Sequence, residues 1–120
     1  MITEKQAKDF AHEWVAAWNT HDLAKIMSHY DDQVALTSPV AQKIMNLPSG
    51  TIEGKDALKV YFTKGLEVHH DLRFELIDVM WGINSLIVFY KNQKSARVGE
   101  FMEFGPSGKV IRVVVNYNVG

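Results

Sequence analysis

The sequence predicts an α+β fold, with helices first and a mainly antiparallel sheet after them, on three observations. Apolar residues recur at helical spacing through the first half of the chain, from Ala7 to Phe62. From Leu72 onward the period becomes two. Turn-forming residues then divide that half into four strand-like runs, a pattern of consecutive hairpins rather than of strand–helix–strand units.

The first helix is expected over "TEKQAKDFAHEWVAAWNTHD". Thr3 followed by Gln6 fits a capping box, and Ala7, Phe10, Ala11, Trp14 and Trp18 share one face. A short second helix, "HDLAKIMSHY", has Asp22 as its cap and Leu23, Ile26, Met27 and Tyr30 as its apolar side. "DDQVALTSP" then extends as a strand with Val34, Leu36 and Ser38 on one face, and Pro39 ends it. "VAQKIMNLPSGTIEG" has a loop composition with apolar anchors, suited to a lid over a pocket or a plain connection. "GKDALKVYFTKGLEVHHD" forms the third helix, packing through Ala57, Leu58, Tyr61 and Phe62. The four strands are "LRFELIDVMW", "SLIVFYKN", "ARVGEFMEF" and "KVIRVVVNYNV".

The 120 residues suit one domain, residues 1–120, with one core and room for a small cavity. Hydrophobic residues make up 47% and charged residues 22%, an ordinary globular composition. With no cysteine there is no disulfide framework, no thiolate metal site and no thiol nucleophile. A net charge of −1 with mixed signs predicts no nucleic-acid partner, and no apolar run is long enough to predict a membrane span. The opening "MITEKQAKDF" has no secretory character, so a cytoplasmic location is expected. "SLIVFY" and "VIRVVV" are apolar on both faces, which predicts a second cover for the sheet, most simply a homodimer through its outer face.

Glu100 is the chemical anomaly. It shares strand parity with Ala96, Val98, Met102 and Phe104, so it interrupts an apolar face. A carboxylate buried there without a cation is held toward its neutral form and becomes a hydrogen-bond donor or general acid. Pairing with Arg112 or with a partner subunit is the structural alternative; Arg97 has the wrong parity. Asp78 shares parity with Leu76 and Met80 and is a second candidate intruder. The five histidines form no metal-binding spacing, and His69 and His70 suit a polar junction at a helix end.

Taken together, "EWVAAWNTHDLAKIMSHYDDQVALTSPV", "IEGKDALKVYF" and "EFMEFGPSGKVIRVVVNY" resemble the NTF2-like superfamily, which includes ketosteroid isomerases and SnoaL-like cyclases. The likeness rests on Asn-x-x-Asp-Leu at residues 19–23, Tyr30-Asp31-Asp32 before a strand, and Gly-x-x-Ala-Leu at residues 54–58. It implies a cone: three N-terminal helices on a strongly bent sheet, an apolar pocket at the wide end, and often a dimer through the sheet. It also implies acid–base chemistry without cofactor or metal. Matched to the isomerases, Glu100 takes the place of the protonated aspartate of an oxyanion hole, Trp14 that of a tyrosine, and Ser38 that of the basic aspartate. A serine is no base without an activator, so Asp32, His29 or Asp78 would have to serve. The candidate catalytic set is therefore Glu100, Asp32 and Ser38. The expected pocket wall is Trp14, Trp18, Tyr30 and Leu36 from the first half, with Tyr61, Val98, Met102 and Tyr117 completing it. Three functions fit: an isomerase- or cyclase-type enzyme using Glu100 on a small apolar molecule with a carbonyl or hydroxyl, a non-catalytic binding protein for such a molecule, or a dimeric interaction domain.

Overall fold

A computed structural model describes residues 1–118. Helix α1 (Glu4–Asn19) begins at a reciprocal cap: the Gln6 N–H donates to Thr3 Oγ1 at 3.1 Å, and the Thr3 N–H donates to Gln6 Oε1 at 3.0 Å. Its buried face consists of Ala7, Ala11, Trp14, Ala17 and Trp18, so small residues let the helix approach the sheet and two indoles fill the space beyond. Asn19 fastens the far end. Its side-chain amide donates to the Phe74 carbonyl at 2.9 Å and accepts from the Phe74 N–H at 2.7 Å, pairing with that backbone as a strand would. Asp22 caps α2 (Leu23–Met27) by accepting from the Lys25 N–H at 3.1 Å.

Strand β1 (Tyr30–Thr37) leads into α3 (Pro39–Ile44), β2 (Thr51–Glu53) and α4 (Lys55–Val68). The segment after Ser38 is thus not a loop. Ser38 caps α3, accepting from the Val40 N–H at 3.2 Å, and Pro39 takes the first helical position, where its missing N–H costs nothing. Pro39 ends the strand as expected and starts a helix as well. The chain returns through Gly50, whose carbonyl accepts from the Ser38 N–H at 2.9 Å. Gly50 has φ +67°, and a Cβ there would lie 3.0 Å from the Ser38 carbonyl oxygen, so only glycine fits this turn without a shift.

Strands β3 (Glu75–Trp81), β4 (Ser85–Lys91), β5 (Arg97–Phe104) and β6 (Val110–Tyr117) follow as a meander. The last expected strand extended to Val119, which lies outside the described residues. The six-stranded sheet has the order β2-β1-β6-β5-β4-β3, antiparallel except where β1 runs parallel to β6. Register shifts fall between Tyr30 and Ala35, Leu76 and Asp78, and Glu103 and Phe104. Such irregularities bend a sheet and increase its local twist, and the helices pack on its inner side. This is the α+β architecture of the NTF2-like cone.

The shift in β3 corrects the expectation for Asp78. Regular alternation would carry it inward with Leu76; instead Asp78 stands opposite Phe89, is exposed, and accepts from the Val79 N–H at 2.8 Å.

Candidate functional site

Between α3, α4 and the inner face of the sheet lies a cavity of about 360 Å³, within the usual range for a small-molecule site. Its apolar wall takes Leu36 from β1, Val40 and Ile44 from α3, Phe62 from α4 and Val115 from β6. Aromatic rings continue it: Trp18 meets Phe62 edge-on at 4.8 Å between centroids, and Phe74 lies 4.3 Å from Tyr90. The polar groups of the interior are Ser38, Tyr61, Tyr90, Glu100 and Tyr117. Lys43, His69, Gln93 and Lys94 also line it, and both lysines are exposed.

Glu100 is 6% exposed. On the sheet it stands opposite Val88 of β4 and Val115 of β6, with Val98 and Met102 on the same face. Its Oε2 accepts a hydrogen bond from the Tyr90 hydroxyl, which approaches from the diagonal position on β4. No cation answers its charge among the described residues. Arg112 pairs with Glu103 at 3.3 Å and lies over the Phe101 ring at 5.3 Å, so the structural ion pair is with another carboxylate. Burial pushes the Glu100 carboxyl up from 4.5 to about 7, with the Tyr90 hydrogen bond pulling the other way.

The four tyrosines of the chain are Tyr30, Tyr61, Tyr90 and Tyr117, and the charge of Glu100 raises the pKa of each. Desolvation is the larger cause in every case; it carries Tyr61 to about 12 and the others above their ordinary value. All four therefore stay protonated near neutral pH, and Tyr90 among them donates its hydroxyl hydrogen to the acid. Ser38 lies close enough to Tyr61 and Tyr117 to offset part of the rise in both. Deeper in, Trp14 Nε1 donates to the Tyr30 hydroxyl at 3.0 Å.

Of the residues expected at the site, Trp18, Leu36, Ser38, Tyr61, Glu100 and Tyr117 line this cavity. Trp14, Tyr30, Val98 and Met102 do not; they are buried in the core behind it. Val98 stands opposite both Tyr90 and Tyr117, whose longer side chains carry the wall in its place. Asp32 is exposed at the irregular start of β1, where the register shift breaks the alternation that would have turned it inward with Tyr30 and Val34. His29 also lies away from the cavity; its ring meets Phe10 edge-on at 5.4 Å. Sequence reasoning missed Tyr90, Phe74 and His69. Tyr90 shares parity with Leu86 and Val88, but "SLIVFYKN" is apolar on both faces and gave no sign of which one turns inward.

The chain matches the SnoaL-like domain family over residues 11–115 and belongs to it. It is similar to a SnoaL-like protein of unknown function from Burkholderia thailandensis, at 36% identity over 98% of both chains, with a TM-score of 0.94. A protein proposed to be a SnoaL-like isomerase from Agrobacterium tumefaciens shares the fold at 14% identity, 96% and 99% coverage and a TM-score of 0.76. So does the epoxide hydrolase/cyclase-like enzyme SalBIII of pyran ring formation in salinomycin, at 18% identity, 99% and 95% coverage and a TM-score of 0.74. No curated protein sequence matches this chain. Among the described residues no three His, Asp or Glu side chains converge as a metal site would require, and no helix is long and apolar enough to cross a membrane.

Proposed function

We propose that this protein is a cofactor-independent acid–base enzyme of the isomerase or cyclase type, acting on a small apolar molecule with a carbonyl or hydroxyl. One observation carries the reading: a buried carboxyl with no cation among the described residues, held by a tyrosine, forms part of the wall of an aromatic cavity. Tyr90 engages Oε2, which leaves Oε1 of the protonated acid to donate to a substrate oxygen. As an adjacent C–H loses its proton, negative charge grows on that oxygen, and a donor fixed in a water-poor site stabilises it more there than in the ground state. The proton acceptor is assigned to His69, the imidazole that lines the cavity from the end of α4. Ser38 acts as a positioning residue, since its hydroxyl already caps α3.

The test is hydrogen–deuterium exchange at the carbon next to the carbonyl of 2-tetralone, followed by NMR. The protein is expected to accelerate exchange, Glu100→Leu to lose about 10²-fold or more, and His69→Gln to lose a comparable factor. The non-catalytic alternative draws on the position that the resemblance matched to a base, which holds Ser38, and on the exposure of Asp32. Tetralone that binds without exchanging would favour it.

A homodimer through the outer sheet face is the second part of the proposal. Ile87 and Phe89 of β4, Phe101 of β5 and Val114 of β6 form a partly exposed apolar stripe, and Met80 of β3 at its margin is 50% exposed. A continuous apolar patch on a sheet is the usual form of an isologous interface.

A further inference from the structure

The charges around the cavity are unevenly placed. Lys43, in the last turn of α3, and Lys94, in the β4–β5 turn, are exposed and belong to the lining. Neither is ion-paired among the described residues. Among the described residues the lining's one carboxyl is Glu100, buried in the interior. Among the described residues the mouth has two cations and no anion, which favours an anionic group on whatever enters.

The turn that carries Lys94 is a built one. Asn92 Oδ1 accepts from the Lys94 N–H at 3.0 Å and the Ala96 N–H at 3.1 Å, while the Ser95 N–H donates to the Asn92 carbonyl at 2.9 Å. Gln93, between them, also lines the cavity, and its Oε1 is buried with no hydrogen-bond partner. An orphaned buried amide atom is costly and calls for a partner. Amide oxygen and nitrogen are interchangeable by a half-turn of the side chain, so the same position can offer an N–H to an acceptor.

We propose that the molecule taken by this cavity carries a carboxylate, which lies at the mouth against Lys43, Lys94 and Gln93 while its apolar body fills the aromatic interior. Such a ligand enters with its uncharged end toward Glu100 and keeps its charge where water and the lysines solvate it, so no anion is placed beside the buried acid. The lysines then fix which way round the molecule sits, and thus which of its oxygens meets Glu100. The inference rests on the cavity's being a small-molecule site, as proposed above, but not on catalysis.

The experiment uses two probes of the same shape, 2-naphthoate and its neutral counterpart 2-naphthamide, titrated calorimetrically into the full chain at about pH 6. Naphthoate is expected to bind about 10-fold more tightly, a difference of ~1.4 kcal/mol, and to lose that advantage as salt is raised. The double variant K43Q/K94Q should bring the two probes within about 2-fold of each other, through a larger loss for naphthoate than for naphthamide. Both side chains are exposed, and an unchanged melting temperature would show that the variant is intact. Equal binding of the two probes, or a preference that survives the double substitution, would overturn the carboxylate inference alone. Failure of both probes to bind would overturn the small-molecule reading of the cavity, and the carboxylate inference with it.

Discussion

At the scale of single residues, Glu100 sets the chemistry. Its carboxyl titrates at about 7 in the folded protein against 4.5 ordinarily, so the fold holds a proton that the unfolded chain has already released between those values. By linkage, stability is greatest below about pH 4.5 as far as this group is concerned, and falls as pH rises through about 7. The difference corresponds to roughly 3 kcal/mol. Thermal or denaturant melts across that window should show the decline, and Glu100→Gln should flatten it because glutamine does not titrate. Tyr90→Phe acts in the other direction on the acid. It removes the hydrogen bond that pulls the Glu100 pKa down, so the carboxyl should titrate higher than in the wild type, and stability should drop by about 1–3 kcal/mol. An unmoved Glu100 titration in that variant would show that the Tyr90 hydroxyl does not govern the acid.

Glu100 was legible from sequence because its parity on β5 is unambiguous: Val98 and Met102 on either side of it are apolar. Its partner was not. Tyr90 comes from another strand, and the register that places it diagonally across from Glu100 is set by the β4–β5 turn and by neither strand's own pattern. Asp78 and Asp32 misled for the converse reason. Both sit beside register shifts, and one displaced residue reverses the face of a side chain without leaving a mark in the alternation.

At the scale of elements, two small devices hold the cavity in shape. Ser38, Pro39 and Gly50 together convert the end of β1 into α3 and return the chain to β2. Gly50→Ala combines a positive φ with a close contact to the Ser38 carbonyl, and should cost about 1–3 kcal/mol in a denaturant melt. Because the displaced atoms adjoin Ser38, probe binding in the cavity should weaken as well; a variant with wild-type stability and affinity would show that the turn can give. The other device is Asn19, whose amide makes both hydrogen bonds to Phe74. Asn19→Ala should destabilise by about 2 kcal/mol through the two backbone groups it leaves without partners. The helix caps at Thr3 and Asp22 were readable because side chain and backbone lie within three residues of each other. Helix α3 was not, since its six residues are too few to show a period, and a proline that breaks a strand is equally a helix starter.

At the scale of the whole molecule, the inner face of the sheet is occupied by helices and cavity, and its outer face carries hydrophobic side chains beside the Arg112–Glu103 pair. In the proposed dimer those side chains meet their copies. Light scattering is expected to give twice the chain mass at micromolar concentration, and Phe101→Asp to give the monomer. A wild-type monomer under those conditions would remove the dimer. It would leave the cavity intact, because every residue assigned to the site comes from one chain. The chemistry depends most on whether the buried acid carries a proton near neutral pH. Carbon-13 NMR of the Glu100 side-chain carboxyl through a pH titration measures this directly: a midpoint near 7 is expected, and a midpoint near the ordinary 4.5 would contradict a protonated Glu100 as the donor in this cavity.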